Sequence, residues 1–262
     1  MQSVLTIAGS DPSAGAGIQA DLKTFAALGV YGTSVITSLT AQNTMGVSGV
    51  FDVSPEFVGQ QIDAVVTDIR PDAVKTGMLA NAAIIDAVVA RLQQHQLPHV
   101  VVDPVMVAKS GARLLPLDAL EALATRLLPL AEVVTPNLPE AEALVARGIT
   151  TDDEVRQAAI DIHSLGPRCV VVKGGHREGD RVVDVLFDGE HFYEYSGSRV
   201  KTASTHGTGC TFASAIAANL ALGAKVPDAV RHAREYLQAA IERAHAIGHG
   251  HGPVHHFWKW WK

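Results

Sequence analysis

Val100-Val101-Val102-Asp103-Pro104 sets the architecture: three β-branched residues with no polar alternation, then a carboxylate and a proline. β-branched side chains fit a strand, and a short apolar run without alternation fits one in a sheet interior. Val4–Ala8, Ser34–Leu39, Ala73–Lys75, Val133–Thr135 and Val170–Val172 read as strands in the same way. Longer stretches with helical spacing lie between them. Ile18, Leu22, Phe25 and Leu28 mark one apolar helix face, and Leu120, Leu123 and Leu127 another. Strands alternating with helices are the pattern of parallel βα units. Further on, Val182–Phe187 and Glu190–Tyr195 flank Asp188-Gly189, a strong hairpin signal. Two helices, Thr208–Leu222 and Asp228–Ala246, close the pattern. The reading is a doubly wound, mostly parallel α/β sheet flanked by helices, with an antiparallel hairpin near one edge.

At 262 residues, 47% of them hydrophobic and 18% charged, the chain can bury a large core. No linker, charge block or low-complexity stretch divides it, so residues 1–262 are read as one domain. The net charge of −6 and the lack of a Lys/Arg cluster argue against nucleic acid or an anionic membrane as partner. Cys169 opens an apolar strand and is expected in the core, and with Cys210 it makes no disulfide framework. The first residues lack the basic start and long apolar core of a signal peptide, and no stretch reaches transmembrane length. A cytoplasmic location is expected.

Polar residues gather just past the strand ends. Gly9-Ser10-Asp11 follows the first, Gln42-Asn43 the second and Thr76-Gly77-Met78 the third. Asp103-Pro104, Pro136-Asn137 and Lys173-Gly174-Gly175 follow the next three. In open α/β sheets ligands bind at that edge, so the six groups read as one composite site.

Thr205-His206-Gly207-Thr208-Gly209-Cys210, directly before an Ala-rich helical run, is the strongest chemical signal. Glycines 207 and 209 let backbone N–H groups at a helix start approach an anion, and the helix dipole adds positive charge. Thr205 and Thr208 belong to the same expected phosphate cradle. Cys210 stands where a helix start lowers a thiol pKa. Lys173, leaving a strand into a Gly-Gly turn, can meet a nucleotide phosphate as a point charge. Asp103, Asn137 and Glu140 supply hard oxygen donors suited to Mg²⁺. Glu140 also reads as a first-turn helix carboxylate, since Pro139 marks a helix start. These are parts for phosphoryl transfer, although no GxxxxGK motif followed by Ser or Thr and no protein-kinase motif set occurs.

The small residues before Gly207-Thr208-Gly209, with Asn137-x-x-Glu140, resemble the ribokinase superfamily. Within it, the match narrows to the hydroxymethylpyrimidine/phosphomethylpyrimidine kinases of thiamine biosynthesis. Leu5 to Ser13, Gly15 to Thr24, Ala41-Gln42-Asn43-Thr44, Thr76-Gly77-Met78-Leu79, Asp103-Pro104-Val105-Met106 and Thr135 to Glu140 carry that resemblance in order. Lys173-Gly174-Gly175-His176 and Gly252 to Phe257 complete it across nearly the whole chain. It implies a three-layer ribokinase-like fold. It implies two ATP- and Mg²⁺-dependent phosphorylations of 4-amino-5-hydroxymethyl-2-methylpyrimidine, first to the monophosphate and then to the diphosphate. Cys210 stands where sugar kinases of the superfamily carry a general-base Asp, so Cys210, Lys173, Gly207 and Gly209 are the expected catalytic set. By the same resemblance Gln42 binds the pyrimidine, with Asp21 accepting from its amino group, Met78 and Val105 walling the ring and Gly9 beside it. A homodimer is expected.

Pyridoxal kinase is the competing enzyme; Gln42 favours the aminopyrimidine, because pyridoxal has no amino group next to a ring nitrogen. A pyrimidine-sensing module that lost catalysis is disfavoured by the intact Gly207, Gly209, Cys210, Lys173, Asn137 and Glu140. Trp258, Trp260 and Trp261, with His245, His249, His251, His255 and His256, form a C-terminal tail read as packing on the body or across a dimer interface, ahead of a Zn, Ni or Cu site, which irregular spacing and the lack of a partner cysteine disfavour. Lys109-Ser110-Gly111 and His176 to Arg181 read as lids over the nucleotide or as plain surface loops.

Overall fold

The computed structural model describes residues 1–106, 116–176 and 179–261. Strand β1 (Ser3–Ser10) is followed by α1 (Gly17–Ala27), β2 (Tyr31–Asn43), β3 (Gly46–Asp52) and α2 (Pro55–Val66). Next come β4 (Ala73–Thr76), α3 (Ala82–Gln94), β5 (Val100–Val102), α4 (Leu117–Ala122) and β6 (Val133–Val134). The chain continues through α5 (Leu138–Val145), α6 (Asp152–His163), β7 (Cys169–Val172), β8 (Arg181–Phe187), β9 (Phe192–Ser198), α7 (Thr208–Ala221) and α8 (Val226–Glu242).

The strands form one nine-stranded sheet in the order β3-β2-β1-β4-β5-β6-β7-β8-β9. From β2 to β7 every pairing is parallel, while β3, β8 and β9 join antiparallel. The strand order reverses at β1, which lies between β2 and β4, and this opens a crevice at its C-terminal end. Alternation along the central strands feeds two cores. Val100, Val102, Val134, Val170 and Val172 pack against α2 to α6, whereas Val101, Val133 and Val171 pack against α1, α7 and α8. Residues fully buried on both faces explain why these strands read as unbroken apolar runs.

The hairpin lies where it was expected, turning at Asp188-Gly189 with Gly189 at φ +98°. A second hairpin on the opposite edge was not anticipated. β2 runs on to Asn43 instead of ending at Leu39, and pairs with β3. Gln42 is therefore a strand residue rather than a loop residue, placed just after a register shift between Ala41 and Gln42. Shifts of this kind re-aim the side chains beside them. The helix bearing Leu120, Leu123 and Leu127 is α4, extended by a π-helical turn at Leu123–Leu127.

Phe257 and Trp258 pack on the α7–α8 core, and Arg243 lies 4.9 Å above the Trp258 ring. Trp260 and Trp261 remain exposed. Among the described residues no three His, Cys, Asp or Glu side chains converge to hold a metal. Lys109-Ser110-Gly111 lies outside the described residues, as do residues 177 and 178 of the other expected lid. Among the described residues no helix is long and apolar enough to cross a membrane.

Candidate active site

A cavity of about 770 Å³ opens over the C-terminal edge of the sheet. All six strand-end groups reach it, through Gly9, Ser10 and Asp11, then Gln42, Met78, Asp103, Asn137, and Lys173 with Gly175. Val105, Glu140, Thr205, Gly207, Thr208, Gly209 and Cys210 complete the expected set on its walls.

Asp21 is the exception. It is fully buried behind the cavity, in an ion pair with Lys75 at 2.9 Å. Its oxygens also accept from Thr6 Oγ1 at 2.6 Å and Ser214 Oγ at 2.7 Å. With both oxygens engaged, Asp21 is a structural partner of Lys75 and has no free edge for a substrate amino group. Lys75 itself lines the cavity.

The α7 start is built as the glycines promise, though for a different reason at Gly207. Gly207 caps the helix at φ +75°, and no side chain caps the first turn, so its N–H groups remain available to an anion. A β-carbon at 207 would fall 1.9 Å from the Gly15 carbonyl oxygen, so Gly207 is required by backbone contact with the β1–α1 loop as well as by its left-handed conformation. At Gly209 a β-carbon would meet Lys173 Nζ at 3.3 Å and Asp103 Oδ2 at 3.5 Å, so this glycine keeps the floor open between the helix start and the charged groups.

Lys173 Nζ lies 2.8 Å from Asp103 Oδ1 and 3.9 Å from Glu140 Oε2. Burial draws its pKa down, but the two carboxylates outweigh that and hold it up, so it is a fixed cation. Asn137 and Glu140 form a reciprocal capping box on α5: Asn137 Oδ1 accepts from Glu140 N, and Glu140 Oε2 from Asn137 N. Glu140 thus serves both readings, as a first-turn carboxylate and as part of the cavity wall. Burial pushes it up to about 7 against the pull of Lys173, with Asp103 adding to the rise.

At Cys210, the third residue of α7, the pull of the helix start on the thiol pKa meets a larger opposing effect. Burial raises it to about 11; Lys75 pulls the other way, Asp21 and Asp103 push further up, and a hydrogen bond from the Gly17 backbone gives some relief. Desolvation beats the helix start, so the sulfur is a neutral thiol near pH 7.

Three wall residues had been given no role of their own, although Asp11 belonged to the first strand-end group and His206 to the segment before α7. Lys75 read only as a strand residue. Asp11 accepts from the backbone of Ser13, Gly15 and Ala16 and from His206 Nε2 at 2.8 Å. Burial alone would raise its carboxyl, but these bonds, led by His206, hold it at about 2. His206 in turn lies 3.3 Å from the Gln42 amide. Its place beside Gly207 was the one signal for it in the sequence.

Comparison with known proteins places the chain in a family. Residues 11–255 match the family model described as phosphomethylpyrimidine kinase. The hydroxymethylpyrimidine/phosphomethylpyrimidine kinase of Escherichia coli is 48% identical over 262 residues, covering 99% of this chain and 98% of that protein. The thiamine biosynthesis bifunctional protein ThiED of Geobacter sulfurreducens is 54% identical over 254 residues, which are 97% of this chain, but the chain spans only 52% of that longer protein. An ADP complex of Bacillus subtilis pyridoxal kinase superposes with a TM-score of 0.90 at 40% identity, covering 98% of this chain and 97% of that one.

Proposed function

Because the chain belongs to the phosphomethylpyrimidine kinase family, we infer that it transfers phosphate from ATP to 4-amino-5-hydroxymethyl-2-methylpyrimidine and then to the resulting monophosphate, in thiamine biosynthesis. The observation that carries this reading is the convergence of Gln42, Lys173 and the uncapped start of α7 on one cavity. Such a site holds an aminopyrimidine edge at one end and a polyphosphate at the other.

The roles divide by chemistry. Gln42 offers an amide donor and acceptor side by side, the complement of an amino group next to a ring nitrogen. Met78 and Val105 supply apolar walls for the ring, and Gly9 allows it close to β1. The N–H groups of Thr208, Gly209 and Cys210 meet the transferring phosphate, with Gly207 and Thr205 shaping the turn. Lys173 balances the charge that develops there. Cys210 is the group at hand to take the hydroxyl proton in the first transfer. It does so as a thiolate, which burial makes scarce at neutral pH. In the second transfer the phosphate oxygen is already ionised and needs no base.

Asp103, Asn137 and Glu140 fit a hydrated Mg²⁺, being oxygen donors with only two carboxylates among them. Such an ion neutralises phosphate charge when bound. Cytoplasmic location and a homodimer belong to the same reading; exposed Leu39, Val50 and Phe51 on the β2–β3 edge favour an assembly.

Pyridoxal kinase is the second reading, kept because of the structural likeness just described. Gln42→Leu separates the two. It should weaken the aminopyrimidine by about 1–3 kcal/mol, through an unpaired edge in a desolvated pocket. An unchanged KM and kcat would remove Gln42 from the site.

A further inference from the structure

The Gln42 amide is held from both ends. Its Nε2 is placed 3.3 Å from His206 Nε2, and its Oε1 3.1 Å from Thr40 Oγ1. Neither contact balances. Asp11 is an acceptor already taking N–H bonds from Gly15 and Ala16 on Oδ2, so the His206 Nε2 at 2.8 Å from that oxygen must carry a proton. This holds for the neutral ring and for the imidazolium alike. An amide NH₂ facing it sets donor against donor. At the other end, Thr40 has one hydroxyl proton, and the Ser10 carbonyl at 2.9 Å can only accept it. An amide oxygen facing Thr40 sets acceptor against acceptor. Amide oxygen and nitrogen are told apart by their partners; a half-turn of this amide removes both clashes, letting its NH₂ donate to Thr40 and its carbonyl share, at 3.3 Å, the Nε2 proton that His206 gives mainly to Asp11.

We propose that Asp11, through His206, and Ser10, through Thr40, lock Gln42 with its carbonyl toward His206 and its NH₂ toward Thr40, and so make the cavity selective for a 4-aminopyrimidine over its 4-oxo counterpart. The inference rests on the aminopyrimidine reading above. In this orientation the free lone pair accepts from the ligand's amino group on the His206 side, and the free N–H donates to the ring nitrogen on the Thr40 side. The order around the ring is nitrogen, amino-bearing carbon, then the carbon with the hydroxymethyl group. That order carries the hydroxymethyl past His206 toward Gly207 and Cys210, where the phosphate is held. The reversed amide would point it away from them, so hydrogen bonding and the direction of transfer agree on one orientation.

A 4-oxo ring presents the opposite edge, a ring N–H and a carbonyl. It would be accommodated only by turning the amide against both partners. A site built around committed hydrogen bonds rejects such a mismatch by about 10²-fold or more. Asp11, His206 and Thr40 are positioning residues in this scheme.

The test is equilibrium binding by calorimetry without ATP, using 4-amino-5-hydroxymethyl-2-methylpyrimidine and its 4-oxo analogue, on wild type, His206→Ala and Thr40→Val. Wild type should bind the amino compound about 10²-fold tighter. That preference should shrink at least about tenfold in His206→Ala and by a smaller factor in Thr40→Val. Damage to folding alone would weaken both ligands in proportion and leave the ratio intact. A ratio unchanged in both variants, or a wild type that binds both analogues equally, overturns the lock while leaving the kinase reading standing. A wild type that binds neither compound overturns the kinase reading and the lock with it.

Discussion

Lys173 and Asp103 neutralise each other across 2.8 Å before any ligand arrives, so the cation expected on phosphate and the carboxylate expected on metal form one preassembled pair. Removing one member leaves the other buried and unpaired. Lys173→Ala should therefore lower kcat by about 10²-fold or more, with a much smaller change in pyrimidine KM. Steady-state kinetics with each substrate varied in turn checks this. A loss confined to pyrimidine KM would place Lys173 at the wrong end of the cavity.

Cys210 should separate the two transfers. With its thiol near 11, the thiolate fraction grows about tenfold per pH unit from 7 to 10, and the first transfer should rise with it. The monophosphate, with a second pKa of about 6, is already the dianion over that range, so the second transfer should stay flat. Cys210→Ala should cut the first rate by about 10²–10⁴-fold and abolish its pH slope, while sparing much of the second. Cys210→Asp should restore part of the first and depress the second through like-charge repulsion. Single-turnover rates on both substrates decide it. Equal losses in the two rates would make Cys210 a shaper of the pocket rather than a base.

His256 should make the fold acid-sensitive. It is 4% exposed, its Nε2 lies 3.1 Å from Thr211 Oγ1, and burial, then Lys23 and His255, hold it down at about 3. An unfolded chain protonates a histidine near 6.5, so below that pH the unfolded state binds a proton the folded state refuses. Stability is then full above about 6.5 and falls by about 1.4 kcal/mol per unit as pH drops toward 3. Asp11, held at about 2, contributes stability that is lost only below about 4, outside a comparison of pH 7 with pH 5. Glu140, held up at about 7, gains stability over the same window and works against His256 in both proteins, so the comparison between proteins is the readout. The change in urea unfolding free energy from pH 7 to pH 5 should be about 2 kcal/mol less favourable in wild type than in His256→Gln. Equal pH sensitivity in both proteins would assign the effect elsewhere.

The parallel core was legible because its strands are buried on both faces, and burial is what an unbroken Val run reports. The edge strand β3 was not, since Val47-Ser48-Gly49-Val50 mixes polar and apolar residues against solvent on a strand that pairs on one side only. Site residues at strand ends were legible for the same geometric reason: parallel strands end together. Partnerships were not. Asp21 meets Lys75 across 54 residues, and Asp11 meets His206 across 195. The helix start at Cys210 could be read from spacing, but the desolvation that overrides it depends on what packs around the thiol.

The most direct measurement is the mass of the products formed over time from Mg-ATP and 4-amino-5-hydroxymethyl-2-methylpyrimidine, with pyridoxal in a parallel reaction. The pyrimidine monophosphate should rise first and the diphosphate should follow at its expense. Phosphorylation of pyridoxal with the pyrimidine left unchanged would contradict the assignment.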